Sequence, residues 1–163
     1  MKNEMIITTV CYLRRNDSYL LLYRNKKKDD INKGKWIGVG GKKEVHETID
    51  ECAIREVKEE TGFIVNSLKC HGEVLFIDEK SQIMMYVYEI TDFTGTMTTC
   101  DEGDLKWIPI AQIYDYPMWE GDKAFLPKLI NHEPYFKMRI TYCKNQLISV
   151  EYLWYILYAF DFT

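Results

Sequence analysis

The segment 41-GKKEVHETIDECAIREVKEETGF-63 constrains the fold more than any other part of the 163-residue chain. Thr48 followed by Glu51 makes a capping box, which predicts a helix beginning just after Thr48. Gly62 suits its end, because a left-handed cap is easiest without a Cβ. Between them Ile49, Cys52, Ala53 and Val57 recur at helical spacing and predict an apolar stripe for a core. Glu56, Glu59 and Glu60 stand at i, i+3 and i+4, so their carboxylates gather on one side. Like charges at those spacings destabilise a helix by about a few tenths of a kcal/mol per pair, and Arg55 can relieve part of this by pairing with Glu59. Two readings account for the cluster. It is a solvated acidic face, or it is a ligand set for a hard divalent cation, which takes carboxylate, phosphate and water oxygens.

Around this helix the chain reads as strands. Residues 6–13 and 19–24 are rich in β-branched and aromatic residues and flank the turn signal 15-RNDS-18, which predicts a hairpin. A polar loop, 24-RNKKKDDINKGK-35, carries six basic residues and two aspartates, and reads either as an anion funnel or as a flexible solvated loop. The glycine-rich run 36-WIGVGGK-42 leads into the helix. Strands are expected at 69–77, 83–90 and 105–110, with 91–104 as a loop. Helical turns are expected at 111–115 and 122–131, and a closing hairpin at 136–142 and 146–152 around 144-KN-145. The length fits one domain over 1–163, with an apolar tail at 153–163. Fold class is therefore α+β, with a mixed, mainly antiparallel sheet.

Charge and cysteine usage narrow the partners. A net charge of −4 argues against a long nucleic-acid backbone, where a basic face is expected, but not against a single nucleotide. Five cysteines without a CxxC pair predict free thiols, no zinc site and a reducing, cytoplasmic location. The N-terminus reads as a strand and not as a signal peptide. The apolar C-terminal run is interrupted by Glu151 and is shorter than the ~20 residues of a spanning helix, so no membrane is expected. Its aromatic part, Tyr152 to Phe160, is a candidate homodimer contact.

The spacing from Gly41 through Glu47, Arg55, Glu56, Val57, Glu59, Glu60 and Gly62 to Phe63 is similar to the signature of the Nudix hydrolases at every fixed position. Phe63 takes a place usually aliphatic, and His46 one where many members carry glycine. The resemblance implies a Nudix fold, an α/β/α sandwich, and hydrolysis of a nucleoside diphosphate linked to another moiety, assisted by Mg2+ or Mn2+. It implies that Glu56, Glu59, Glu60 and the Gly40 carbonyl bind metal. Glu56 is the candidate general base, Arg55 orients a helix glutamate, Glu47 holds Arg55 or the outer metal shell, and Lys42 contacts phosphate. Glycines 38, 40 and 41 would let the backbone approach phosphate and metal closely.

A second resemblance covers roughly residues 5–152. The passages 34-GKWIGVGGK-42, 101-DEGDLKWIPI-110 and 118-MWEGDKAFLPKLI-130 look like the subgroup of 8-oxo-dGTP diphosphatases, the bacterial MutT-like proteins and the animal oxidised-purine triphosphatases. It implies that Trp119 stacks near the base, that Asp122 hydrogen-bonds the purine edge and that Glu102 completes the metal site. Gly121 replaces the first of two adjacent aspartates in the animal enzymes. Ile37 replaces an asparagine that reads the base; isoleucine can pack on a purine but can neither donate nor accept a hydrogen bond. The leading expectation is Mg2+-dependent hydrolysis of oxidised purine nucleoside triphosphates such as 8-oxo-dGTP to monophosphate and pyrophosphate. The alternatives are a Nudix pyrophosphatase acting on a dinucleoside polyphosphate, a nucleotide sugar or an RNA 5′ end, and a non-catalytic nucleotide-binding module.

Overall fold

The computed structural model describes residues 4–153. In chain order these form β1 (Ile6–Arg15), β2 (Ser18–Arg24), β3 (Trp36–Ile37), α1 (Ile49–Thr61), β4 (Ile64–Ile77), β5 (Gln82–Thr94), β6 (Gly103–Pro109), a 3-10 helix (Ile110–Asp115), α2 (Asp122–Ile130), β7 (Phe136–Cys143) and β8 (Gln146–Tyr152). The apolar tail expected at 153–163 lies, apart from Leu153, outside the described residues.

The strands make one mixed sheet in the order β3-β2-β1-β5-β4-β7-β8, with β6 paired along β2. The β1–β5 and β4–β7 pairs are parallel and the others antiparallel. Alternation along β1 divides the core. Cys11 and Leu13 face α1, where they meet Ala53, Val57, Leu20, Leu22, Tyr88 and Ile90. Val10 and Tyr12 face the other way, toward Phe125, Leu126 and Leu129 of α2 and Ile113 of the 3-10 helix. The result is the α/β/α sandwich expected, in which each fully buried aliphatic side chain contributes about 1.5–3 kcal/mol.

Helix α1 begins and ends as its sequence predicts. Thr48 accepts from the Glu51 N–H while the Glu51 side chain accepts from the Thr48 N–H, and Gly62 closes the helix at φ 80°. The strands run longer than predicted. Strand β4 starts at Ile64 and not at 69, and β5 continues to Thr94, into the expected loop. The physical reason is a set of register irregularities at Val65/Ser67, Ser67/Lys69 and Cys70/Gly72. Each interrupts the period-two alternation that betrays a strand.

Candidate active site

The glycine run is held against the free stretch of β1. Thr9 N–H donates to the Gly41 carbonyl (3.0 Å), and Cys11 and Val39 exchange backbone bonds (2.6 and 3.1 Å). A Cβ on Gly40, which sits at φ 156°, would run into the Thr9 carbonyl oxygen. One on Gly41 would come within 2.5 Å of the Glu56 carboxyl. Gly40 is thus required for the loop to lie against β1, whereas a side chain at Gly41 would displace the Glu56 carboxyl. The Gly40 N–H donates to Glu60 Oε2 (2.8 Å), while no described residue donates to the Gly40 carbonyl.

A cleft of about 490 Å³ opens beside this loop, and Gly40, Gly41, Lys42, Glu56, Glu60 and Glu102 line one part of it. Glu60 is 6% exposed. Burial pushes its carboxyl up to about 9, helped by Glu102 and Glu56 and opposed by the Gly40 N–H. Burial also raises Glu56, against the pull of Arg55. Glu102 bonds Arg24 and Lys27 and lines the same cleft as Glu60. Despite its own partial burial it is held below the usual range by Lys27, Glu60 and Arg24.

Arg55 knits the flank of the cluster together. Its guanidinium bonds Glu47 bidentately (2.9 and 2.7 Å), Glu56 (2.8 Å), Glu59 (3.2 Å) and the Lys42 carbonyl (3.2 Å). The Arg55 contact depresses the Glu47 carboxyl to about 2. Glu59 and Glu47 do not line the cleft, and the Glu59 side chain is 58% exposed. The start of the basic loop is tied down, while Lys28 and Lys33 are exposed. Arg24 is paired with Asp30 and Glu102, Lys27 with Glu102, and Lys26 donates to the Cys100 carbonyl.

Among the described residues no three carboxylate, histidine or cysteine side chains converge as a ready metal clamp, because Arg55, Arg24 and Lys27 draw Glu56, Glu59 and Glu102 aside. The donor chemistry nonetheless fits a hard cation. Three carboxylates, of Glu56, Glu60 and Glu102, and the Gly40 carbonyl, to which no described residue donates, line one cleft, and all are oxygen donors.

Elsewhere the same cleft is lined by Ile37, Trp119, Asp122, Phe76, Met85, Tyr142 and Asn32. Asp122, the first residue of α2, is 8% exposed, and no described residue hydrogen-bonds its carboxyl. Burial alone pushes it up to about 7. Trp119 stands edge-on to Tyr142 at 5.4 Å, and Lys35 Nζ lies 4.3 Å from its ring centroid. Of the residues singled out in the sequence, Gly40, Glu56, Glu60, Glu102, Lys42, Ile37, Trp119 and Asp122 meet in this cleft; Arg55 reaches it only through Glu56 and Lys42. Sequence reasoning missed Asn32, Phe76, Met85 and Tyr142. Asn32 sat in a loop read only for its charge, and the others enter through strand pairings between distant segments.

Comparison with known proteins agrees with this arrangement. The NUDIX domain model matches residues 5–129. An uncharacterised Nudix hydrolase of Bacillus subtilis is 29% identical over 140 residues, covering 82% of this chain and 85% of its own. The oxidized purine nucleoside triphosphate hydrolase of Danio rerio is 31% identical over 118 residues, covering 69% of this chain and 76% of its own. The crystal structure of a mutator MutT protein from Bacillus halodurans superposes with a TM-score of 0.80 at 28% identity, covering 90% of this chain and 97% of that one. The chain with the capped glutamate helix and the glycine loop beside it belongs to the Nudix family of hydrolases.

Proposed function

We propose that the chain is a divalent-cation-dependent diphosphatase of purine nucleoside triphosphates, oxidised purines included, releasing nucleoside monophosphate and pyrophosphate. The observation that carries the reading is the single cleft itself. The glycine loop and acidic cluster line one part of it, and Trp119, Asp122 and Ile37 line another. The Danio rerio relative, named for oxidised purine nucleoside triphosphates, supports the substrate class.

Enzymes of this family generally use divalent metals such as Mg2+. Such an ion neutralises phosphate oxygens and lowers the barrier to attack by water. In this reading Glu56, Glu59, Glu60, Glu102 and the Gly40 carbonyl would hold the cations. Glu56, whose basicity is raised by burial, takes the proton from water as its oxygen bonds to phosphorus and the bridging oxygen leaves. Arg55 fixes Glu56, Glu47 fixes Arg55, and Lys42 binds a phosphate. Trp119 stacks on the base and Asp122 pairs with its edge. Ile37, which gives the base no polar contact, favours a second reading: a broader pyrophosphatase that also takes a dinucleoside polyphosphate, a nucleotide sugar or an RNA 5′ end.

The test is kcat/KM with Mg2+ over 8-oxo-dGTP, dGTP, ADP-ribose and a diadenosine polyphosphate. Preference for the purine triphosphates supports the reading. Activity confined to the other two diphosphates would replace it with the second.

A further inference from the structure

We infer that Asn32 reads the nucleobase in this cleft, its side-chain NH2 group donating to a carbonyl oxygen of an oxopurine. The inference rests on the cleft being the nucleotide site proposed above. Trp119 Nε1–H donates to Asn32 Oδ1 at 2.8 Å. An indole nitrogen only donates, so the amide oxygen must be the atom that meets it. That settles the orientation of a group whose oxygen and nitrogen are otherwise hard to tell apart. The NH2 group consequently points away from the indole, and no described residue accepts from either of its hydrogens. Asn32 and Trp119 both line the cleft.

The amide is also held from behind. The Asn32 N–H donates to Asp30 Oδ1 (3.0 Å), its carbonyl accepts from Lys35 N–H (3.0 Å), and Asp30 is clamped by Arg24 Nε (2.5 Å). Lys35 in turn sits over the Trp119 ring. A donor fixed in this way loses little conformational freedom when a ligand arrives. It lies on a cleft where the Ile37 side chain offers no polar atom and no described residue hydrogen-bonds the Asp122 carboxyl. A guanine-type base presents carbonyl oxygens to such a donor. An adenine-type base presents an amino group at the corresponding edge and leaves donor facing donor. An unmatched polar pair of this kind is worth roughly tenfold in binding.

Asn32 could instead serve only to anchor Trp119, and one substitution separates the two roles. Asn32→Asp keeps an oxygen for the indole but replaces the NH2 donor with an acceptor. Its added negative charge weakens all nucleotides alike, so the readout is a ratio. Calorimetric Kd values for dGMP, 8-oxo-dGMP and dAMP with Mg2+ are measured on the full chain, its Asn32→Asp and Asn32→Ala variants, each checked for folding by circular dichroism. The wild type is expected to prefer the oxopurines over dAMP, and both variants to cut that preference roughly tenfold. Retention of the preference in Asn32→Asp with loss only in Asn32→Ala would overturn the inference in favour of anchoring alone. It is overturned equally by a preference unchanged in both variants, or by a wild type that binds dGMP and dAMP alike or binds none of the three. Because monophosphate binding needs no turnover, a chain that binds with the expected ratios but releases no pyrophosphate would defeat the proposed hydrolysis and leave Asn32 standing.

Discussion

Two buried carboxyls line the cleft, and each is pushed above the usual carboxylate range for a different reason. Glu60 is raised first by burial and further by the neighbouring Glu102 and Glu56. Asp122 is raised by burial alone, up to about 7. For Asp122 the sign follows from proton counting. Below the ordinary value of 3.8 both folded and unfolded chains carry the proton, and no stability depends on it. Between 3.8 and about 7 the unfolded chain has released the proton and the folded chain has not, so stability falls as pH rises; above about 7 the loss is complete. The loss amounts to at most ~4 kcal/mol. Asp122→Asn removes the titration. Urea unfolding at pH 4 and pH 8 should show the variant gaining on the wild type at pH 8 relative to pH 4. Parallel behaviour at both pH values would show that the Asp122 carboxyl is solvated after all.

At the scale of elements, α1 and the glycine loop divide stability from chemistry. Thr48→Ala removes the capping hydrogen bond at the exposed start of α1, two turns before Glu56. It should cost about 1 kcal/mol in denaturant unfolding and leave kcat/KM of the folded protein within about twofold. Gly40→Ala drives a methyl group into the Thr9 carbonyl and must push the loop off β1. Its turnover should fall at least about 100-fold even under conditions where circular dichroism reports a folded chain, since a displacement of about 1 Å at a catalytic site is enough. Turnover of Gly40→Ala close to wild type would mean that the loop does not shape the site.

The same two elements show what could be read from residues alone. Cap, stripe and terminal glycine all lie within one helix, so Thr48, Ala53, Val57 and Gly62 sufficed to place α1. The closing hairpin was equally local. Lys144 and Asn145 take φ of 48° and 63°, as a two-residue turn of this kind requires. Strand β4 was misplaced because its irregularities break the alternation, and β3 is only two residues long. Glu89 shows the same limit inside the sheet. It is 7% exposed and bonded by Tyr19 across strands distant in sequence, which no local pattern could announce. The wall of the cleft formed by Phe76, Met85 and Tyr142 depends on β4 pairing with both β5 and β7, so it emerges only with the topology.

For the whole molecule, β1 pairs with β5 along one side, while on its other side β2 takes only Leu13–Arg15 and leaves Thr8–Cys11 to receive the glycine loop, with α1 packed behind. The sheet thereby sets carboxylates and aromatic side chains around one opening. All five cysteines are free thiols, and among the described residues no helix is long and apolar enough to cross a membrane. The central claim is that the acidic face of α1 drives metal-dependent cleavage of a nucleoside triphosphate. Product analysis tests it most directly: 8-oxo-dGTP incubated with Mg2+, with chelator and with the Glu60→Gln variant, the products separated by ion-exchange chromatography. Monophosphate and pyrophosphate should appear in equal amounts with Mg2+, and fall at least about 100-fold both with chelator and in Glu60→Gln. Undiminished turnover in either case, or release of diphosphate and inorganic phosphate instead, would contradict the assignment of these glutamates to that reaction.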